Sequence, residues 1–105
     1  MPCELKTNTE ISTALYRIIQ ESLTNIYKHS AATQVSIDLR ENPEAIQLQI
    51  NDNGQGFNPE RNTTGFGLRG MRERTVALGG QFFLASQSGK GCRITVLIPL
   101  PRLAL

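Results

Sequence analysis

The chain has 105 residues, 39% of them hydrophobic and 19% charged, enough to bury one core and too evenly mixed for a disordered protein. Eleven Lys and Arg against nine Asp and Glu leave a net charge of +2, without the concentrated basic face that nucleic-acid binding needs. Neither a secretion signal nor an apolar run of bilayer length is present, so one soluble domain over residues 1–105, not inserted in a membrane, is expected.

Every acidic residue lies at or before Glu73, which leaves the last third weakly basic but without a dense run. Cys3 and Cys92 have no companion Cys or second His at metal-ligand spacing, so zinc is excluded and reduced thiols are expected. Asn62-Thr63-Thr64 matches a glycosylation sequon, which carries no meaning without secretion.

From Thr9 to about His29, Ile11, Leu15, Ile19, Leu23 and Ile26 recur at helical spacing, with Asn8 or Thr9 as cap and Glu10 in the first turn. Val35, Ile37 and Leu39 then alternate within 34–40, and Ile46, Leu48 and Ile50 repeat the alternation after Asn42 and Pro43. The pattern predicts a hairpin. Residues 51–67, rich in Asn, Gly, Pro and Thr, show neither period and read as a long functional loop. Leu68, Met71, Thr75 and Leu78 predict a second helix that ends at Gly79-Gly80 on a left-handed cap. Strands over 81–86 and 92–98, joined by 87–91 and closed by Pro99 and Pro101, complete the chain. Antiparallel pairs separated by helices predict an α+β fold, a layered sandwich with a mixed, mainly antiparallel sheet packed against helices.

On a helical wheel of about 100° per residue, Glu21, Asn25 and Lys28 fall within roughly a 60° sector, away from Leu15, Ile19 and Ile26. A carboxylate, an amide and an amine share one stripe, which taken alone is also what a solvated face looks like. Asp52-Asn53-Gly54-Gln55-Gly56-Phe57 follows a strand whose alternation sets where Asp52 emerges. A carboxylate there can accept a bond from an exocyclic amine, and the adjacent glycines let backbone approach a flat ring. The same residues also suit an ordinary turn.

Gly65-Phe66-Gly67-Leu68-Arg69-Gly70 has dinucleotide-binding spacing, but the preceding residues are loop and no acid follows Glu73, which excludes a Rossmann site. A kinase glycine-rich loop fails too, because these glycines open a helix instead of joining strands. What remains is freed backbone N–H groups at a helix N-terminus, suited to an anion. His29 is the only histidine, and with no partner at a suggestive position it reads as a local or packing residue and not as part of a nucleophilic triad.

Taken together, Glu21-x-x-x-Asn25-x-x-Lys28-His29, Asp52-x-Gly54-x-Gly56-Phe57, and Gly65-x-Gly67-Leu68 with Gly70-Met71-Arg72-Glu73-Arg74 resemble the N box and two glycine boxes of the histidine-kinase ATPase domain. Leu78-Gly79-Gly80, Ser88-Gly89-Lys90-Gly91 and a strand ending in Pro99 look like the close of the same domain. The Met71 to Arg74 run and the short loop between the glycine boxes are most similar to the branch of nitrate and membrane-fluidity sensors. The resemblance, over roughly 10–100, implies the Bergerat fold with ATP between helices and sheet.

On that reading Asp52 takes the adenine amine, Asn25 offers its oxygen to Mg²⁺, Lys28 neutralises phosphate, and Glu21 orients water or polarises the site. The resemblance also places Gly54, Gly56, His29 and Cys92 around the nucleotide. Gly65, Gly67 and Leu68 contact its phosphates, the loop 58–64 forms a lid, and Arg69 and Arg72 meet phosphate or a partner helix. Cys92 stands where the family commonly has Thr, a stronger hydrogen-bonding group. It further implies a cytoplasmic, monomeric catalytic domain excised from a sensor kinase, any membrane anchor lying in the parent protein. Its partners would be the dimerisation helices carrying a phosphoacceptor histidine and, through the whole protein, a response regulator. An anti-sigma-factor-type serine kinase, a gyrase-like ATPase and a degenerate nucleotide-binding module are the alternatives. The short lid and the Met71 to Arg74 run count against the first two.

Overall fold

The computed structural model describes residues 9–55, 67–86 and 89–100. Helix α1 spans Thr9–Asn25 and runs into a π-helical turn, Ile26–Ser30, that ends at Ala31 in the left-handed conformation. Strands β1 (Val35–Glu41) and β2 (Ala45–Asp52) follow. Helix α2 (Leu68–Ala77) precedes strands β3 (Gln81–Ser86) and β4 (Cys92–Pro99).

The sheet order is β1-β2-β4-β3, and all three pairings are antiparallel. Two hairpins therefore lie side by side, joined by the β2 to β4 ladder at the centre. Asn42 builds the first hairpin turn by accepting bonds from the N–H groups of Glu44 (2.8 Å) and Ala45 (2.9 Å) through its side-chain oxygen. Along β2, Ile46, Leu48 and Ile50 are buried while their neighbours are half-exposed, and Ile94, Val96 and Ile98 of β4 bury the same face. Both helices cover that face. The other face carries polar pairs such as Arg93 Nε donating to Asn51 Oδ1 at 2.8 Å, as expected of an antiparallel sheet with one wet side.

The first helix departs from the sequence expectation in two ways. It does not stay α-helical to His29, because the chain widens into the π turn before reversing at Ala31. Its buried face is Ile11, Ala14, Leu15, Ile18 and Ser22, whereas Leu23 is 42% exposed and Ile19 and Ile26 only pack against the margin. The reason is that α1 has neighbours on two adjacent sides, the sheet below and α2 beside it. Ser22, too small to be counted in an apolar stripe, leaves room for the fully buried Met71 of α2 and sets its Oγ 3.5 Å from the sulfur.

At the sheet edge, Val35, Ile37 and Leu39 share the core face by register with Asp52, Ile50 and Leu48. They remain largely exposed, since α1 lies over β2 and leaves β1 open. Helix α2 ends as expected, with Gly79 at φ +75° and the N–H groups of Leu78, Gly79 and Gly80 bonded to carbonyls of the last turn.

The rotated face of α1 is checked by urea unfolding of two variants. Ile18→Ala is expected to cost about 2–5 kcal/mol, and Leu23→Ala less than about 1 kcal/mol. Equal losses would put Leu23 in the core.

Candidate functional site

The central ladder sets the site. Asp52 ends β2 directly opposite Cys92, the first residue of β4, and Cys92 is in turn opposite Ser86 of β3. Asp52 continues the inward alternation of Ile46, Leu48 and Ile50, so its carboxylate emerges on the core face, at the end of the sheet where α1 gives way to the π turn.

That turn is latched to the strand end. Asp52 Oδ1 accepts hydrogen bonds from the Ser30 hydroxyl at 2.9 Å and the Gly54 N–H at 2.8 Å. Gly54 is buried with its Cα against Ser30, and a side chain there would collide with the Ser30 hydroxyl and carbonyl. Glycine is needed for the close approach. The Gln55 N–H donates to the Ser30 carbonyl at 2.8 Å, and the Gln55 side-chain amide donates to that of His29. Asn53 Oδ1 accepts from the N–H groups of Thr33 and Gln34, each at 2.9 Å.

Between the latch and the helices lies a cavity of about 320 Å³, within the range of about 300–1,000 Å³ typical of small-molecule sites. Asn25, Lys28, His29 and Ser30 line it from α1 and its π turn. Asp52 and Cys92 line it from the sheet, and Ile26, Ile50, Leu68 and Ile94 give it apolar walls. Of the site residues expected from sequence, Asn25, Lys28, His29, Asp52, Leu68 and Cys92 thus share one cavity. Gly54 sits behind Asp52 as part of its support.

Glu21 stands apart. It does not line the cavity; its carboxylate packs against Gly67, which immediately precedes α2 at φ +69°. A side chain at Gly67 would collide with Glu21, and the left-handed backbone also disfavours one. The face of α1 that reads as a single polar stripe is therefore divided: Asn25 and Lys28 face the cavity, and Glu21 faces the N-terminus of α2. Arg69 and Arg72 do not line the cavity either. Arg69 pairs with Glu73 at 3.0 Å, and Arg72 stacks over the Phe82 ring at 5.1 Å. Gly56, Gly65, Phe57, the lid residues 58–64 and Cys3 lie outside the described residues.

Cys92 is a free thiol. Burial pushes its pKa up to about 11, an effect opposed by hydrogen bonding with Ser86 and reinforced by the nearby Asp52 charge. Sequence reasoning missed Ser30, Gln55 and, apart from Leu68, the apolar walls. Ile50 and Ile94 were readable as the inward residues two places from Asp52 and Cys92, but Ser30 and Gln55 carry no signal beyond lying next to a motif. Among the described residues no group of three or more His, Cys, Asp and Glu could hold a metal ion, so a cation here would depend on oxygen ligands supplied with its ligand.

Comparison with known proteins bears on the family and the fold. Residues 10–102 match the family model described as "Histidine kinase-, DNA gyrase B-, and HSP90-like ATPase". The chain is 40% identical over 98 residues to the sensor protein VraS of Staphylococcus saprophyticus, covering 92% of this chain and 28% of VraS. It is 38% identical over 98 residues to VraS of Staphylococcus aureus strain COL, again covering 92% and 28%. It therefore spans just over a quarter of the length of these curated relatives.

Among solved structures, the histidine kinase AdeS of Acinetobacter baumannii superposes with a TM-score of 0.71 at 23% identity, over 86% of this chain and 47% of AdeS. The ATP binding domain of PrrB from Mycobacterium tuberculosis gives 0.70 at 22% identity, over 85% and 68%. These likenesses establish the α+β fold. With a family model matched along nearly its whole length, the chain belongs to the histidine kinase-, DNA gyrase B- and HSP90-like ATPases, whose ligand is ATP.

Proposed function

We propose that this domain binds Mg·ATP and presents its γ-phosphate to a histidine on a helix elsewhere in a sensor kinase. The observation that carries the proposal is the convergence of Asn25, Lys28 and Asp52 on one apolar-walled cavity beside the N-terminus of α2. An acceptor-only carboxylate among Ile26, Ile50 and Ile94 suits a flat base bearing an exocyclic amine. Lys28, exposed to solvent and lining the cavity, is a charge for phosphate oxygens.

The donor set fits magnesium. Mg²⁺ usually takes one or two protein oxygens and fills its shell with water and phosphate, and the Asn25 amide oxygen is such a ligand. When bound, the cation would neutralise charge developing on the phosphates. The chain's own residues do the remainder. Asp52 orients the base, Lys28 offsets phosphate charge, and the N–H groups at the start of α2 after Gly67 face the anionic end. Glu21, which lies against Gly67, would orient a water at that end. Phosphoryl transfer needs little else from a protein than position and charge.

The domain would act where ATP is available, in the cytoplasm, as one module of a longer protein with its phosphoacceptor helices and response regulator as partners. Its short inter-box segment and Met71 to Arg74 run support the nitrate-sensor and membrane-fluidity-sensor branch. The sensor proteins among its relatives favour this reading over a serine kinase, a gyrase-like ATPase or a degenerate module.

Calorimetric titration with a non-hydrolysable ATP analogue should show saturable binding that Asp52→Asn abolishes. Asn25→Ala should lose the Mg²⁺-dependent part, roughly tenfold or more for a lost charge-assisted contact. No binding by a folded wild type would sink the nucleotide reading. Absence of acid-labile phosphohistidine when the domain is mixed with ATP and its own helical domain would sink the kinase reading.

Cys92 supplies a second check. With its pKa raised, the thiol stays protonated in the fold when an unfolded chain's thiol has begun to ionise. Its contribution to stability is therefore complete below the ordinary value of 9.0 and is lost as pH rises towards about 11. Chemical denaturation of wild type and Cys92→Thr should diverge to the disadvantage of wild type across that window. Thiol alkylation near pH 8 should be slow and should slow further with saturating ATP analogue.

A further inference from the structure

The Ser30 hydroxyl has no role in the reading above. It is 8% exposed, and the hydrogen bond it donates goes to Asp52 Oδ1 at 2.9 Å. The backbone of Ser30 is held independently, through its carbonyl, by the Gln55 N–H. The hydroxyl is therefore not needed to hold the π turn against the strand end. Its bond and that of the Gly54 N–H converge on the same oxygen, and among the described residues no hydrogen bond reaches Oδ2.

We infer that Ser30 is a positioning residue for base selectivity: by occupying Oδ1 together with the Gly54 N–H, it fixes the Asp52 side chain so that Oδ2 is presented to the cavity as an acceptor for one ligand amine. A carboxylate held by a single bond can rotate and trade its oxygens. Held by two donors on one oxygen, it offers the other in one direction, and preorganisation of this kind raises discrimination without adding a contact. A ligand lacking a donor at that point leaves a desolvated carboxylate oxygen unpaired, which is the costly case. The inference rests on the proposed adenine role of Asp52.

The test is titration of the 105-residue chain with a non-hydrolysable ATP analogue and with the corresponding analogue of purine riboside triphosphate, which lacks the 6-amino group. Wild type should prefer the adenine ligand. In Ser30→Ala the adenine ligand should bind about five- to twentyfold more weakly, a loss of the size expected for one hydrogen bond to a charged group, while the purine ligand changes less than about twofold, so that the preference contracts. Ser30→Thr, which keeps the hydroxyl, should restore most of it. If Ser30→Ala does not fold, Ser30→Cys, nearly isosteric and a weak donor, reads the same ratio.

A preference unchanged in these variants, or equal weakening towards both ligands, overturns the inference by making Ser30 dispensable or merely structural. Asp52→Asn separates the two levels. If it removes adenine binding or the adenine preference while Ser30→Ala keeps the preference, only the role of Ser30 falls; if wild type has no preference, or Asp52→Asn binds and retains it, the adenine reading falls and this inference with it.

Discussion

The pairing of β2 with β4 is the constraint on which the rest depends. These strands are adjacent in space but separated in sequence by α2 and β3, and their ladder runs from Ala45 opposite Pro99 to Asp52 opposite Cys92. In the middle it places Ile50 beside Ile94 and Leu48 beside Val96, making the floor of the core. At one end it brings Asp52 and Cys92 together. Because side chains alternate, a slip of one residue would turn both the core floor and the site carboxylate to the wet face. Core and site are therefore specified by the same register, and a sequence that secures one secures the other.

On that floor α1 does two kinds of work along its length. Its first turns bury Ile11, Leu15 and Ile18 and contribute mainly hydrophobic stabilisation. Its end widens into a π turn, a geometry that is rare and concentrated at functional sites, and there Lys28, His29 and Ser30 reach the cavity. The turn and the residues that follow it are tied to the end of β2 by side-chain and backbone bonds that involve Ser30, Asn53 and Gln55. Such bonds contribute modestly one by one. Together they hold a carboxylate and the groups around it in a fixed relation, which a ligand site needs more than it needs stability.

The division of the polar side of α1 follows from packing. Asn25 and Lys28 stand over the sheet end, whereas Glu21 meets Gly67 where α2 approaches. The polar side chains of α1 are thus shared between the cavity and the N-terminus of α2. The open face of β1 belongs to the same geometry. Because α1 packs over β2, with α2 beside it over β3 and β4, Val35, Ile37 and Leu39 are left at the rim.

Local sequence by itself determined the elements and their order, since periods of two and of three to four are written in the spacing of Ile, Leu and Val, and Gly79 marks a helix end. It determined the glycine-bearing segments and the identities of Asn25, Lys28, Asp52 and Cys92 as candidates, because motif residues keep their order along the chain. What it could not contain was any relation between distant segments. That Ser22 is core and Leu23 is not depends on which flank of α1 meets α2. That Glu21 leaves the stripe of Asn25 and Lys28 depends on where Gly67 arrives. That Ser30 and Gln55 belong to the site depends on a latch closed only when the π turn meets the end of β2. Hydrophobic spacing sets which residues seek burial, but only the packed structure decides which neighbours they find, because contact is a property of distance in space and not along the chain.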